Sequence, residues 1–219
     1  MKLYRSHSVF SRGGSAVLAL LCNLALIVLE VLALGEDLLS GNLDIFRYYT
    51  QDSNLLALLS SLLFVISIVL ALLCGRESVP RWVKCLRYAA TCCLTVTFLV
   101  VVFVLAPAFG FREMLLEGKM LYLHAVCPLV SLLSLLCFER EPGLFPIHTL
   151  LALVPTVIYA VVSITLNILR VWEGPYPFLM VYEQSVLASI GWCIAIVGGA
   201  YLLAVLLWRL GGKAERSTI

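Results

Sequence analysis

Charge is scarce in this sequence. Only 13% of its 219 residues are Asp, Glu, Lys or Arg, while 62% are hydrophobic. A soluble domain is about a quarter charged and about half apolar, so the surplus apolar surface has to meet lipid rather than water. The formal charge of +2 is too small for an electrostatic hold on nucleic acid. Histidine is also rare, with three in the chain, and no His/Glu pair has zinc-site spacing. His124 and His148 fall near opposite membrane surfaces, which argues against a shared haem. No Gly-rich phosphate loop and no Gly-x-Ser-x-Gly elbow occurs. These absences leave a membrane protein that requires no cofactor and no metal.

Apolar runs of membrane length are what the sequence has instead. A helix needs about 20 mostly apolar residues to cross the hydrocarbon core. Six stretches qualify: Ala16 to Leu34, Asn54 to Leu73, Val83 to Ala106, Met120 to Phe138, Ile147 to Leu169 and Ser185 to Leu207. The expectation is one all-α domain over residues 1–219, with no linker, low-complexity tract or visible internal repeat. The first run follows Lys2, Arg5 and Arg12 as a secretory signal would, but it exceeds the usual signal core and reads as a membrane helix. With the N-terminus inside, Lys2, Arg5, Arg12, Arg76, Arg81, Lys84, Arg87, Arg140, Arg209, Lys213 and Arg216 fall on the cytoplasmic side. Arg47, Arg112, Lys119 and Arg170 fall on the other. That bias predicts two cytoplasmic termini, in the cell membrane. The eight cysteines fall in the spans or at their cytoplasmic ends, where oxidation is disfavoured, and read as small packing residues.

Polar residues inside such spans are costly and point to function. Thr50-Gln51-Asp52-Ser53-Asn54 opens the second span, and Thr50, Asn54, Ala57 and Ser61 share one helical face. His124 opens the fourth span, with Cys127, Pro128 and Ser131 on its face. Pro128 removes the hydrogen bond to the carbonyl four residues earlier, that of His124 itself, which predicts a kink there. Thr50, His124, Glu30, Tyr176 and Glu183 are expected at one depth, in the outer leaflet. A threonine hydroxyl needs a base to become nucleophilic, and a neutral imidazole suits that task. Asp52 or Glu30 would orient the imidazole, as the third member of a triad does. The backbone of the polar run, Ser53 or Asn54 would support the reaction or stabilise an oxyanion. A lipid or fatty acyl ester is the natural substrate.

Structural readings stand beside these. Thr50 and Ser53 have the residue types of helix N-caps, and His124 that of a hydrogen bond between helices. Tyr4, Tyr48, Tyr49, Tyr122, Tyr176 and the tryptophans suit interfacial belts. Pro175-Tyr176-Pro177 suits a rigid turn. Arg47 and Arg112 suit either snorkelling anchors or a hold on an anionic head group. The same polar cluster would also serve a small-solute or lipid-binding carrier or sensor without catalysis, and a structural or assembly role is the third possibility.

Phe46-Arg47-Tyr48-Tyr49-Thr50 with Ser53-Asn54-Leu55, His124 opening the fourth span, and Tyr176-Pro177-Phe178-Leu179 before the last together resemble the androgen-induced-protein family of six-helix membrane hydrolases, most closely its uncharacterised bacterial relatives. The resemblance covers most of the chain in helix order, though its motifs are short. It implies hydrolysis of fatty acid esters of hydroxy fatty acids, with Thr50 as nucleophile and His124 as base. Gln51-Asp52-Ser53-Asn54 is more polar than the pattern of the animal enzymes. His124 also lacks the neighbouring His and Thr residues of those enzymes.

Overall fold

The computed structural model describes residues 13–74, 79–139 and 144–212. Lys2, Tyr4, Arg5, Arg12, Arg76, Arg140, Lys213 and Arg216, used in the sequence reading, lie outside the described residues. Among those described, the secondary structure is helical with no strand. Six helices are long and apolar enough to cross a membrane: α1 (Ser15–Leu39), α2 (Tyr49–Cys74), α3 (Arg81–Phe109), α4 (Gly118–Cys137), α5 (Ile147–Ile168) and α6 (Val186–Gly211). Each matches one of the apolar runs. α1 to α4 pack on one another, and α5 and α6 lean against α3. Half of the most apolar stretch of α3 is buried, against 17% for α6, so α3 is the central staff of the bundle.

Packing is inverted relative to a soluble domain. Leu187 (79% exposed), Leu202 and Ile194 face outward, while Asn23, Glu30, Asn54, Arg87, Thr91 and Ser131 are fully buried. Lipid accepts the first set at no cost, and the second set must find partners inside. The eight cysteines are unpaired, with Cys92, Cys93 and Cys127 buried.

Arg87, counted in the sequence reading only as a charge on the cytoplasmic side, has a structural role. It lies nearly two turns inside α3. Its guanidinium donates to Thr91 Oγ1 (3.1 Å) and Ser131 Oγ (2.9 Å). Its Nε is 3.4 Å from Glu139 Oε1, with both side chains almost wholly buried. Asn23 Nδ2 (2.9 Å) and Ser134 Oγ (2.5 Å) donate to the same Glu139 oxygen. This network staples α1, α3 and α4 near the end of the bundle opposite the Thr50 end.

Two backbone irregularities shape the Thr50 end. α3 carries a π turn at Val101–Leu105 and α4 one at Tyr122–Val126. Each lies two residues before a proline, Pro107 or Pro128. Such turns are frequent at functional sites.

Arg87→Leu leaves the Glu139 carboxylate buried without its cation. Removing one partner of a buried pair costs about 3–5 kcal/mol, so a clear fall in the unfolding midpoint in detergent is expected. A variant that melts with the wild type would remove the network from the stability of the fold.

Candidate active site at the loop end of the bundle

The second helix begins at Tyr49, five residues before the apolar run, so the polar residues form its first turn rather than a loop. The preceding 3₁₀ turn, Leu43–Arg47, is capped by Asn42, whose side chain accepts from the Asp44 N–H at 3.1 Å. Tyr48 is extended, and its carbonyl accepts from the N–H groups of Gln51 and Asp52. The Thr50 side chain is thereby free of capping duty. Its Oγ1 points across the bundle to His124 Nε2, 3.3 Å away, and both residues are buried.

The imidazole is held from its other side. His124 Nδ1 lies 2.6 Å from the Met114 carbonyl oxygen. A carbonyl only accepts, so Nδ1 carries the proton. In the neutral ring Nε2 is then the lone-pair nitrogen, facing the Thr50 hydroxyl. Met114 belongs to the short helix Phe111–Leu115, whose last carbonyls have no intrahelical donor. Gly110 (φ 105°) and Gly118 (φ 52°) turn the chain into and out of that helix in conformations L side chains rarely adopt.

Asn54 ties the two helices together. Pro128 has no N–H, and the Cys127 N–H bonds to Tyr122 in the π register. The carbonyl of Leu123 is thus stranded as well, one residue before the one the sequence indicated. Asn54 Nδ2 supplies the missing donor (3.2 Å) and also donates to the Thr50 carbonyl (2.7 Å). With both amide hydrogens spent, Asn54 is a clamp and not an oxyanion donor.

Tyr176 completes the group. The Thr50 N–H approaches its hydroxyl at 3.4 Å, so the phenol accepts from Thr50 and keeps its own proton to donate. Burial pushes its pKa up to about 12, so the ring stays protonated at neutral pH. Tyr176 is buried and stacks on Phe178 at 5.1 Å, so it is no interfacial anchor. The residue before a proline prefers extended backbone, and Tyr176, before Pro177, adopts it. Gly174 lets the loop close, since a Cβ there would lie 2.5 Å from the Leu179 carbonyl oxygen. Asn167 clasps the loop, donating to the Trp172 carbonyl (3.2 Å) and accepting from the Val181 N–H (3.0 Å).

The other expected site residues stand apart. Ser53 turns to α3, donating to the Thr50 carbonyl (3.0 Å) and pairing with Thr97 (2.8 Å). Asp52 is half-buried, and no hydrogen bond or ion pair joins it to His124 among the described residues. Glu30 is fully buried beside Cys127 and Arg87, deeper than the imidazole. The backbone carbonyl of Met114 therefore does the orienting work expected of Asp52 or Glu30. Glu183 is exposed on the loop before α6. Arg47 pairs with Asp44 (3.0 Å) and lies over Trp172, and Arg112 pairs with Glu117 (2.8 Å). Both arginines are thus engaged by the protein. Among the described residues, no group of three or more His, Cys, Asp or Glu side chains is arranged to hold a metal ion.

Two cavities meet at Thr50. A roomy one of about 540 Å³ is lined by Thr50, His124, Met114, Tyr176 and, toward the rim, Asp37, Asp44 and Lys119. A slender one of about 50 Å³ runs between α3, α5 and α6, with Thr50, Tyr176 and Leu105 also on its wall. Sequence reasoning missed Met114, Asp37 and Lys119. The paired glycines at 110 and 118 were the one signal that the intervening loop folds back.

Asn54→Leu strands the carbonyls that this amide serves. An unsatisfied buried acceptor costs about 1–3 kcal/mol, so a lower unfolding midpoint in detergent is expected, and an unchanged one would show the clamp to be dispensable. No family model, curated protein or solved structure matches this chain with significant similarity.

Proposed function

We propose that the protein is an intramembrane hydrolase of lipid esters, with Thr50 as nucleophile and His124 as general base. The observation that carries this reading is the Thr50–His124 approach at 3.3 Å, with the Met114 carbonyl fixing the imidazole tautomer. In this mechanism Thr50 Oγ attacks the ester carbonyl carbon while Nε2 takes its proton. The tetrahedral oxyanion accepts a hydrogen bond from the Tyr176 hydroxyl. Protonated Nε2 then gives its proton to the departing alcohol. Water attacks the acyl-threonine, passing one proton to Nε2, and the carboxylic acid leaves as Thr50 regains its hydrogen. One ester and one water become one acid and one alcohol, and no cofactor enters. The resemblance to the androgen-induced-protein family supports the same reaction and the same two residues.

The scarcity of basic residues at this end, only Arg47, Arg112, Lys119 and Arg170, supports a site on the non-cytoplasmic side of the cell membrane, with both termini cytoplasmic. One observation favours a second reading, a carrier or lipid-binding sensor. Glu30 is fully buried with both carboxylate oxygens unpartnered, and hydrolysis does not use it.

Fluorophosphonate labelling of the purified protein separates these readings. Labelling is expected for the wild type and absent for Thr50→Ala. In ester turnover, His124→Ala is expected to lose about 10²–10⁴-fold and Tyr176→Phe about 10²-fold. Labelling that persists in Thr50→Ala, or ligand uptake that survives it, would refute the hydrolase.

A further inference from the structure

The proposed hydrolase leaves open which ester is cut, and the two cavities at Thr50 differ in chemistry. The slender one is lined by Val96, Val100, Ala160, Ile164, Ile196 and Val197, among others. Its residues on α3 run from Leu105 to Val96, about 14 Å of helix axis. At its deep end the Tyr49 and Thr156 hydroxyls pair with each other at 2.7 Å, so no polar group there seeks a ligand. Its volume is about 50 Å³, against about 540 Å³ for the other cavity. A single unbranched chain fits that shape and chemistry; a ring or a head group does not.

The roomy cavity is rich in acceptors. Its charged lining is Asp37, Asp44 and Lys119. The Lys119 ammonium is already bound to Asp37 at 2.6 Å, and the nearby Arg47 is bound to Asp44 at 3.0 Å. Gln51 also borders it, with its Oε1 enclosed by protein. A carboxylate entering here would meet two aspartates whose cations are already paired, whereas hydroxyl donors can use the lone pairs those aspartates keep beyond their ion pairs.

Resting on the hydrolase reading, we propose that the acyl chain lies in the slender cavity and that the leaving alcohol is an uncharged polyol seated in the roomy one. The substrate class is then a neutral monoacyl polyol, such as a monoacylglycerol. It is not an ester whose leaving alcohol bears a free carboxylate, as in fatty acid esters of hydroxy fatty acids. The same charge pattern gives the class a handle, because neutralising Asp37 releases Lys119 to hold an anion.

The test compares kcat/KM of the full-length protein in detergent on three esters of one acyl chain: a monoacylglycerol, a hydroxy fatty acid ester with its carboxylate free, and the methyl ester of the latter. The glycerol ester is expected to exceed the free acid at least tenfold, and methylation to recover part of the gap. Asp37→Asn should raise the free-acid ester about tenfold relative to the glycerol ester. Ala160→Phe should abolish long-chain turnover while keeping that of a butyryl ester. Thr50-dependent turnover that favours the free acid, or a ratio unmoved by Asp37→Asn, overturns this substrate class and leaves the hydrolase standing. No turnover of any ester, with no fluorophosphonate labelling, overturns both.

Discussion

The hydrogen bond from His124 Nδ1 to the Met114 carbonyl decides what the rest of the site can be. It fixes one proton on one nitrogen, and so turns a buried polar contact between α2 and α4 into a directed pair with a lone pair aimed at a hydroxyl. Sequence reading looked for a carboxylate in this role. A backbone carbonyl at a helix end does the same orienting work without placing a second charge in a low-dielectric interior, where an unpaired charge is expensive.

Around that bond, each element solves a backbone problem and positions a side chain in doing so. The π turn and Pro128 strand the Leu123 carbonyl, and Asn54 answers it. Because Asn54 also holds the Thr50 carbonyl, the repair of one helix sets the distance to the next. The Phe111–Leu115 helix is too short to satisfy its own last carbonyls, and His124 takes one of them. Gly174 allows the loop before α6 to close against Leu179, which brings the Tyr176 hydroxyl beside the Thr50 amide. In lipid there is no water to absorb such defects, so side chains must, and those side chains form the site.

Polar burial divides into two regions with different consequences. The Arg87–Glu139–Asn23 network joins a buried ion pair to side-chain hydrogen bonds and staples three helices far from Thr50, though Asn23 Oδ1 and Arg87 Nη2 are left without hydrogen-bond partners among the described residues. The Thr50 end instead adjoins two cavities, one of them lined by Asp37, Asp44 and Lys119. A group satisfied by protein serves stability, while an unsatisfied group beside open space is available to a ligand. Glu30 lies between these regions, fully buried beside Cys127 and Arg87, with both carboxylate oxygens unpartnered.

The helical class and the six spans were legible in the sequence because hydrophobic length alone specifies a membrane helix. Thr50 and His124 were legible as well, since polar residues in apolar runs are conspicuous. Their neighbours were not. The orienting group is a main-chain carbonyl, which no residue type announces. Asn54 looked like an oxyanion donor, and Arg87 like no more than a charge at the cytoplasmic side of its span, until their partners on other helices were seen. Glu183 matched its companions in sequence depth, yet the loop turns it outward. Composition and periodicity thus determined which segments are helical and which side chains are exceptional. Which exceptional side chains meet, and through which atoms, was decided only by packing, because a hydrogen bond between helices depends on relative rotation and register that no single helix encodes.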